Sequence, residues 1–313
     1  MVNMVICGLG YISRRVAEGC KICEHMHLYG CLSSSRQKAE AFGEEFKCEA
    51  IYSDYESLYN DKKVDVLYLC TPNFSHYELT KAALKHHKSV ICEKPFVESE
   101  EEIKELFELA RKNDCFLMEA EKTCFSPLNK KVKDLVKDGV IGKLYHIEAS
   151  YMYDIRKLNL SNDNWNFKSG GGCSGDVGVY PVSFAHFMSE SKIADVKMIK
   201  HFYQHYEPDF YYEALITYEN GITASVKSSW LTDIENKGKA ILYGEHGYIE
   251  IPSYWKGKKA YIHHDDKVKE IAVDFVSDFT GEIEHAALMI MEHKNESDVL
   301  DEAFSLNIIQ TIK

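Results

Sequence analysis

The sequence predicts an α/β protein in two parts, a doubly wound parallel sheet followed by an α+β domain with a large, mostly antiparallel sheet. Up to about residue 121, short apolar runs alternate with longer segments of helical period, which is typical of parallel strands joined by helices. Beyond that residue, longer runs alternate apolar with polar side chains, which is typical of an antiparallel sheet with one covered face. We therefore expect two domains, residues 1–121 and residues 122–313.

Short apolar runs in the first part predict strands, and the segments between them predict helices. The strands are expected at residues 4–7, 27–32, 64–70, 89–92 and 115–119. The helices are expected at residues 14–23, 37–45, 75–86 and 100–112. Serine is a favoured residue at a helix N-cap, so Ser75 and Ser99 are predicted to cap the last two of these helices.

The second part contains longer alternating runs, which predict strands at residues 145–153, 196–206, 211–218 and 222–230. Asn220-Gly221 lies between the last two runs and suits the positive φ of a tight hairpin, so these strands are predicted to pair antiparallel. Helical period returns at residues 282–292 and 298–312, which predicts two helices near the carboxyl end.

Charge and apolar pattern argue against several classes of protein. A formal net charge of -12 without a long basic run disfavours binding along a nucleic acid, and no apolar stretch reaches the ~18 residues that a membrane-spanning helix needs. The amino terminus carries no secretion signal, and the ten cysteines are scattered through apolar runs, which favours a reduced, cytoplasmic protein. No metal is expected, since His263-His264-Asp265-Asp266 are consecutive and predict a solvated turn.

A glycine-rich loop follows the first predicted strand and opens the first predicted helix. In Gly8-Leu9-Gly10-Tyr11-Ile12-Ser13, Gly8 suits a tight turn and Gly10 the close approach of a pyrophosphate to the helix amino terminus. Gly8, Gly10, Tyr11 and Ile12 are therefore candidates for binding a dinucleotide, with a purely structural turn as the alternative. A dinucleotide-binding domain of this kind is a Rossmann fold.

The end of the second predicted strand bears on the choice of cofactor. It reads Ser33-Ser34-Ser35-Arg36 and lacks the carboxylate that binds the ribose hydroxyls of NAD. Ser33, Ser34 and Arg36 are predicted to contact the ribose, where they favour the 2′-phosphate of NADP. Ser33 also suits the free hydroxyl of NAD, so both cofactors stay open.

Two further groups of polar residues follow predicted strands. Thr71-Pro72-Asn73 comes after the third run, with His76 three residues later, and Glu93-Lys94-Pro95 follows the fourth run. The carboxyl ends of parallel strands meet at the edge where such sheets bind ligands, so we expect these residues to border a cofactor. For His76, contact with a ligand and a structural role in the first turn of its helix both remain open.

Taken together, these motifs resemble the Gfo/Idh/MocA family, named for glucose-fructose oxidoreductase, inositol dehydrogenase and a rhizopine-catabolism protein. The likeness spans nearly the whole chain. Besides the glycine loop it comprises residues 38–42, 71–76, 93–95, 118–120, 139–142, 170–172, 176–181, 284–286 and 296–297. A tyrosine at position 180 is similar to the dihydrodiol and sugar dehydrogenase branch of the family.

The resemblance implies roles for particular residues. Lys94, Asp176 and Tyr180 correspond to the catalytic group, and the Lys94–Pro95 bond is expected to be cis. The cofactor site is expected to include Thr71, Pro72, Asn73, His76, Glu93 and Lys94, and the substrate site to add Trp165 and Asn166 to the catalytic group. Cys124 and Asn166 stand where arginine is frequent in the family, so the resemblance does not identify the substrate. A homo-oligomer, dimer or tetramer, is implied through the carboxyl-terminal sheet.

Hydride transfer at a carbon that bears a hydroxyl needs a group that exchanges the hydroxyl proton, because the cofactor carries only the hydride. Tyr180 is the first candidate, with Lys94 lowering its pKa, and Lys94 as the proton carrier is the alternative. Asp176 precedes Tyr180 by four residues, so on one helical turn both face the same side. Asp176 could orient the substrate or Lys94, or serve as a helix N-cap.

We therefore expect an NAD(P)-dependent dehydrogenase or reductase acting on CH–OH groups of a sugar, polyol or cyclic diol. The alternatives are an NAD-dependent glycosidase of the same fold and a nucleotide- or sugar-sensing regulator without turnover. The expected partners are a small-molecule substrate and other copies of the chain, and neither nucleic acid nor a membrane.

Overall fold

The computed structural model describes residues 1–157 and 171–313 and divides into two compact units. The first unit consists of Met1–Ala120 and Val276–Ser305, and the second of Glu121–Phe275 and Leu306–Lys313. This division differs from the predicted one, which placed everything after residue 121 in the second domain. The chain returns to the first unit because a late helix, Thr280–Met291, packs against the first helix, Tyr11–Cys20.

The first unit is built on a parallel sheet, as predicted. Its described strands are β1 (Val2–Cys7), β2 (Met26–Leu32), β3 (Ala50–Tyr52), β4 (Val66–Leu69), β5 (Ser89–Glu93) and β6 (Leu117–Ala120). They lie in the order β3-β2-β1-β4-β5-β6, which is the doubly wound order of a Rossmann fold. Of these strands, β3 was not predicted, because three residues are too few to form an apolar pattern.

The helices are α1 (Tyr11–Cys20), α2 (Arg36–Phe46), α3 (Tyr55–Asn60), α4 (His76–Lys85), α5 (Glu100–Lys112), α6 (Pro127–Lys137), α7 (Val179–Ser189), α8 (Thr280–Met291) and α9 (Glu302–Ile312), for the ranges described. Ser99 caps α5 as predicted, since its hydroxyl oxygen accepts from the Glu102 amide at 3.2 Å. Ser75 occupies the N-cap position of α4 as predicted, but its side chain makes no capping hydrogen bond. A 3₁₀ turn precedes α4, and the Ser75 hydroxyl donates to the Pro72 carbonyl oxygen at 2.6 Å instead. In the described ranges, no helix is long and apolar enough to span a bilayer.

The second unit contains a large sheet in which antiparallel pairs predominate, as predicted. Its described strands are β7 (Leu144–Met152), β8 (Ile193–Phe202), β9 (Asp209–Tyr218), β10 (Thr223–Ser229), β11 (Lys239–Gly244), β12 (Gly247–Pro252), β13 (Lys259–His264) and β14 (Lys267–Ala272). Their order is β14-β13-β12-β11-β7-β10-β9-β8. The pair β7 and β10 is parallel, which brings the carboxyl ends of two strands distant in sequence to the same edge. The last four strands had not been predicted.

The two faces of this sheet differ in what covers them. Helix α7 packs against β7 and β10, and every residue of α7 except Tyr180 is buried. Leu215 and Ile199 lie on the other face, where their exposed fractions are 56% and 67%. Gly221 has a φ of 85° between β9 and β10, so the predicted hairpin turn is confirmed.

Candidate active site

The motifs of the first unit meet at the carboxyl edge of its parallel sheet. Gly8 follows β1, Thr71 lies two residues after β4, and Glu93 is the last residue of β5. Because β4 pairs with both β1 and β5, these three segments are adjacent. The strand order reverses between β1 and β4, and ligands of open α/β sheets bind at such a reversal.

The glycine loop leaves room for a ligand at the start of α1. Gly8 has a φ of 91°, and a side chain there would come within 2.8 Å of the Cys70 carbonyl oxygen. A Cβ at Gly10 would meet no atom of the described residues within 4 Å, so these residues leave the space in front of the helix open. The Ser13 hydroxyl donates to the Gly10 carbonyl oxygen at 2.7 Å and closes the turn. Tyr11 is 75% exposed beside it, and Ile12 is partly buried.

A pyrophosphate fits this loop on two grounds. The open space at Gly10 lies where backbone N–H groups and the helix dipole attract an anion, and residues 11–14 of the first turn contain no carboxylate to repel it. A dinucleotide would be held there by Gly8, Gly10, Tyr11 and Ile12. One loop can therefore serve both as a structural turn and as a ligand site.

The end of β2 presents hydroxyl groups and a cation. Ser33 is 9% exposed and accepts from the Ser35 amide at 3.2 Å, whereas Ser34 is exposed. Ser35 caps α2 by accepting from the Lys38 amide. Arg36 pairs with Glu40 one turn later at 2.8 Å, and its side chain is 85% exposed. Such an exposed pair is weak, so Arg36 can turn toward a phosphate at little cost.

His76 joins two of the loops at the sheet edge. Its ring is 1% exposed, with Nδ1 2.9 Å from the Pro95 carbonyl oxygen and Nε2 2.9 Å from the Thr71 carbonyl oxygen. Burial lowers the pKa of His76, so the ring is neutral near pH 7 and donates through one nitrogen. Two roles were left open for His76, and these contacts favour the structural one. Within the same loop, Asn73 is buried and Pro72 is exposed.

Glu93 belongs to a buried polar cluster that the sequence interpretation missed. The Lys94–Pro95 bond beside it is cis, as the resemblance implied. The Tyr68 hydroxyl donates to Glu282 Oε1 at 2.7 Å and lies 3.1 Å from Glu93 Oε1. Tyr68 and Glu282 are both fully buried. A tyrosine inside an apolar parallel strand was the available signal, because a buried phenol needs a hydrogen-bond partner.

In the second unit, a glycine and an acid shape the helical turn that carries Asp176. Gly172 has a φ of 99°, and a Cβ there would lie 2.5 Å from Asp209 Oδ1. Asp209 accepts from the Ser174 amide at 2.9 Å and from the Ser174 hydroxyl at 2.8 Å. Residues 174–178 form a π-helical turn that continues into α7. Asp209 caps this turn, so Asp176 is not its N-cap.

Asp176 is held by two donors from neighbouring strand ends. Its Oδ2 accepts from the Tyr153 hydroxyl at 3.1 Å and from Trp230 Nε1 at 3.2 Å. Tyr153 follows β7 and Trp230 follows β10, and the parallel pairing of these strands places both side chains together. Burial and the Asp176 charge raise the pKa of Tyr153, so Tyr153 stays a neutral donor. Neither partner could be predicted, because the pairing joins segments about 70 residues apart.

Tyr180 lies at the start of α7 among aromatic rings and one buried cation. The Tyr151 ring stacks on it at a centroid separation of 5.2 Å and an angle of 22°. Lys122 Nζ lies 5.9 Å from the centroid of the Tyr180 ring. Both tyrosines pack against a buried cluster that includes Ile155, Phe210 and Trp230. Tyr180 keeps partial exposure, as a group that meets a substrate requires.

Four other residues of the predicted site have different outcomes. Cys124, expected near the substrate or nicotinamide, is fully buried, and its thiol faces the Ser183 carbonyl oxygen of α7 at 3.9 Å. Trp165 and Asn166 lie outside the described residues. Lys94 is partly buried after β5, in the first unit.

Models of known protein families match both parts of the chain. A model for an oxidoreductase family with an NAD-binding Rossmann fold, Gfo/Idh/MocA, matches residues 2–121. A model for the Gfo/Idh/MocA carboxyl-terminal domain matches residues 129–250. The two ranges together cover more than half of the chain.

Curated relatives include trans-1,2-dihydrobenzene-1,2-diol dehydrogenases. The protein from Xenopus tropicalis is 26% identical over 86% of this chain and 82% of its own length, and that from Mus musculus is 28% identical over 74% and 68%. The scyllo-inositol 2-dehydrogenase (NADP(+)) of Bacillus subtilis is 29% identical over 58% of this chain and 56% of its own. These names agree with the predicted enzyme class, an NAD(P)-dependent dehydrogenase or reductase acting on CH–OH groups.

Solved structures share the whole architecture. An aldose-aldose oxidoreductase from Caulobacter crescentus has a TM-score of 0.88 at 20% identity and covers 99% of this chain and 94% of its own. A 3-ketoreductase from Actinomadura kijaniata, in complex with NADP and TDP-benzene, has a TM-score of 0.84 at 20% identity, with coverages of 99% and 95%. With both domain models matched and the fold shared throughout, the chain belongs to the Gfo/Idh/MocA family of NAD(P)-dependent oxidoreductases.

Proposed function

We propose that this chain transfers a hydride between the nicotinamide of NAD(P) and a hydroxyl or carbonyl carbon of a sugar, polyol or cyclic diol. The observation that carries the proposal is the convergence of Gly8, Thr71 and Glu93 at one edge of a parallel sheet, beside the open space at Gly10. The dihydrodiol, xylose and inositol dehydrogenases among the relatives support a substrate with neighbouring hydroxyl groups.

Tyr180 is proposed to exchange the proton of the reacting hydroxyl, with Lys94 as its assisting cation. When bound, the nicotinamide supplies or accepts the hydride. A phenol with an ordinary pKa near ~10 must fall by about 3 units to exchange a proton near neutral pH, which corresponds to about 4 kcal/mol. One ammonium about 4 Å away supplies about 4 kcal/mol at an effective dielectric near 20. A lysine ammonium such as that of Lys94 is therefore sufficient in magnitude as the assisting cation.

Asp176 is proposed to orient the substrate. Its carboxylate is fixed through Oδ2 by Tyr153 and Trp230, so its direction does not change when a ligand binds. A fixed carboxylate near a phenol suits a substrate with two hydroxyl groups, because one hydroxyl donates to Asp176 while the other loses its proton to Tyr180.

NADP is the proposed cofactor of choice. Ser33 and Ser34 offer hydroxyl donors at the end of β2, and the exposed Arg36 can reach a 2′-phosphate. The names of two relatives, the xylose and scyllo-inositol dehydrogenases, carry NADP(+).

The proposed setting is the cytoplasm, since the ten cysteines, all within the described ranges, are free thiols that suit a reducing compartment.

Cofactor binding and turnover test this function separately. Calorimetry with NADPH and NADH should give binding of both, tighter for NADPH. Turnover should then be followed by NADPH absorbance with D-xylose, scyllo-inositol and a trans-dihydrobenzenediol. Absence of cofactor binding would refute the proposal. Release of sugar from a glycoside without net change in cofactor would favour the glycosidase, and ligand binding without turnover the sensor.

Tyr180→Phe tests the proton carrier. We expect kcat to fall about 100- to 10 000-fold, the range of general acid–base catalysis, with an unchanged Kd for NADPH. Tyr77→Phe is the matched control, because the Tyr77 hydroxyl lies on the exposed surface of α4 and bonds Glu105. An unchanged kcat in Tyr180→Phe would mean that another group exchanges the substrate proton, and Lys94 would be the first alternative.

A further inference from the structure

Lys122 is a buried cation to which the sequence interpretation gave no role. It begins a 3₁₀ turn, Lys122–Phe125, and is 6% exposed. Its ammonium donates to the Trp255 carbonyl oxygen at 2.8 Å. The turn is fixed from the other side by Asn129, whose side-chain amide donates to the carbonyl oxygens of Thr123 at 2.8 Å and Tyr254 at 2.9 Å. The ammonium therefore has a defined position.

That position faces the Tyr180 ring. Lys122 Nζ is 5.9 Å from its centroid, and Tyr151, stacked on Tyr180, also packs on Trp255 at 4.4 Å. The other titratable groups around Tyr180 in this unit come from several elements. Among the described residues they include Asp176 in the preceding turn, Tyr151 and Tyr153 from β7 and its end, Tyr254 after β12, Glu121 before the 3₁₀ turn, and Cys173, Tyr203 and Tyr206 of the same buried cluster.

The two carboxylates in this set accept hydrogen bonds from other donors. Hydrogen bonds from Tyr153 and Trp230 stabilise the negative charge of Asp176. Glu121 accepts from the Thr123 amide at 3.0 Å. The rings of Tyr151 and Tyr254 exclude water without adding charge while they are protonated, so the field of the ammonium is weakly screened.

The hydrogen bond to Trp255 does not by itself require a lysine here. The Trp255 carbonyl oxygen needs only one donor, which a neutral amide side chain could provide. Burying an ammonium costs free energy that a neutral donor would avoid. What lysine adds at this position is a positive charge.

We propose that Lys122 is a positioning residue that stabilises the phenolate form of Tyr180. The proposal rests on the proposed function, in which Tyr180 exchanges the substrate proton. It adds a cation that acts on Tyr180 from within the second unit itself. The phenolate would thus be favoured before substrate or cofactor arrives.

The titration of Tyr180 tests this directly and needs no turnover. Protein labelled with ¹³C at the tyrosine ζ carbon gives a resonance that reports phenol against phenolate, and Tyr180→Phe identifies the resonance of Tyr180. In Lys122→Met we expect its midpoint to rise by about 1 to 3 pH units, the effect of losing an opposite charge at this range. Lys122→Arg should keep the wild-type midpoint.

Lys130→Met is the matched control, because Lys130 Nζ lies 5.3 Å from the Phe125 ring and its removal takes away the same charge elsewhere in the unit. The Tyr180 midpoint should not change in this variant. Equal midpoints in wild type and Lys122→Met would overturn the proposal, as would a rise in Lys122→Arg as large as in Lys122→Met.

A reverse experiment covers the case in which Lys122→Met does not fold. Coupling between two sites is reciprocal, so Tyr180→Phe should lower the titration midpoint of Lys122, followed by ¹³C at the lysine ε carbon. An unchanged Lys122 midpoint would overturn the proposal. Because neither titration uses substrate or cofactor, failure here is distinguishable from failure of cofactor binding or turnover.

Discussion

At the scale of single residues, the polar groups of both units are defined by the neighbours that meet their hydrogen bonds. Asp176 is oriented by Tyr153 and Trp230, and Glu282 by Tyr68. In each case an aromatic side chain supplies both the hydrogen-bond donor and the apolar surface that keeps water out. Such donors make the direction of a carboxylate part of the fold, which a site for a small substrate requires.

The Tyr68 cluster gives a prediction on stability. Tyr68→Phe removes the donor to Glu282 Oε1 from a fully buried site near a second carboxylate, Glu93. We expect the free energy of unfolding to fall by about 1 to 3 kcal/mol, as for loss of one partner of a buried hydrogen bond. Urea denaturation measures it.

Tyr77→Phe serves again as the control, since its hydroxyl is exposed and its loss should change stability by less than about 0.5 kcal/mol. Equal stabilities of Tyr68→Phe and wild type would mean that the Tyr68 hydroxyl contributes nothing net to the cluster.

At the scale of elements, helix α7 shows how one segment serves both packing and the site. Its first turn presents Tyr180, while the remainder is buried against the sheet. Deeper in the helix, His186 accepts from the Tyr218 hydroxyl through Nδ1 at 2.9 Å, and its Nε2 lies 3.2 Å from Thr311 Oγ1. The Thr311 hydroxyl donates to the Asn307 carbonyl oxygen, so it accepts from Nε2–H of a neutral ring.

This neutral histidine predicts a pH dependence. Burial lowers the pKa of His186 to about 4 from an ordinary 6.5. The unfolded chain therefore binds a proton first as pH falls, and the stabilisation, complete above about pH 6.5, is lost between there and pH 4. The difference between the folded and unfolded pKa values corresponds to about 3 kcal/mol of unfolding free energy.

His186→Gln supplies the comparison, because glutamine does not titrate. Between about pH 6.5 and pH 4, wild type should lose about 3 kcal/mol more of its unfolding free energy than the variant. Parallel losses in the two proteins would show that His186 does not contribute to acid sensitivity.

At the scale of the whole molecule, one face of the sheet of the second unit carries exposed apolar side chains. Leu215 and Ile199 lie on neighbouring strands of that face, more than half exposed. Exposed apolar side chains on a flat sheet are typical of a surface that pairs with another chain. The predicted homo-oligomer through this sheet therefore has a defined surface to test.

We predict that Leu215→Glu converts the oligomer to monomers, because it places a charge in the apolar part of the contact. Light scattering coupled to size exclusion measures the mass. Val276→Glu is the control, since Val276 is 87% exposed and belongs to the other unit. If wild type is already a monomer at working concentration, the oligomer prediction is wrong.

Local patterns in the sequence determined most strands and helices of the first unit, though not β3 or α3. They also determined the hairpin at Asn220-Gly221 and the glycine loop. These depend on neighbours within one or two turns of chain, where apolar period and turn residues act directly. Lys94 and Tyr180 were proposed as site residues from the sequence, because each belongs to a motif that resembles a known family. The Ser75 side chain makes no capping hydrogen bond, since a preceding 3₁₀ turn redirected its hydroxyl.

Only the tertiary structure decided which side chains surround those motifs. Tyr153 and Trp230 meet at Asp176 because β7 and β10 pair in parallel, and Glu282 reaches Tyr68 because the chain returns to the first unit after Phe275. Lys122 faces Tyr180 through the same kind of long-range packing. No local pattern encodes contacts between residues 23 to 214 positions apart, since such contacts arise from burying many apolar side chains at once.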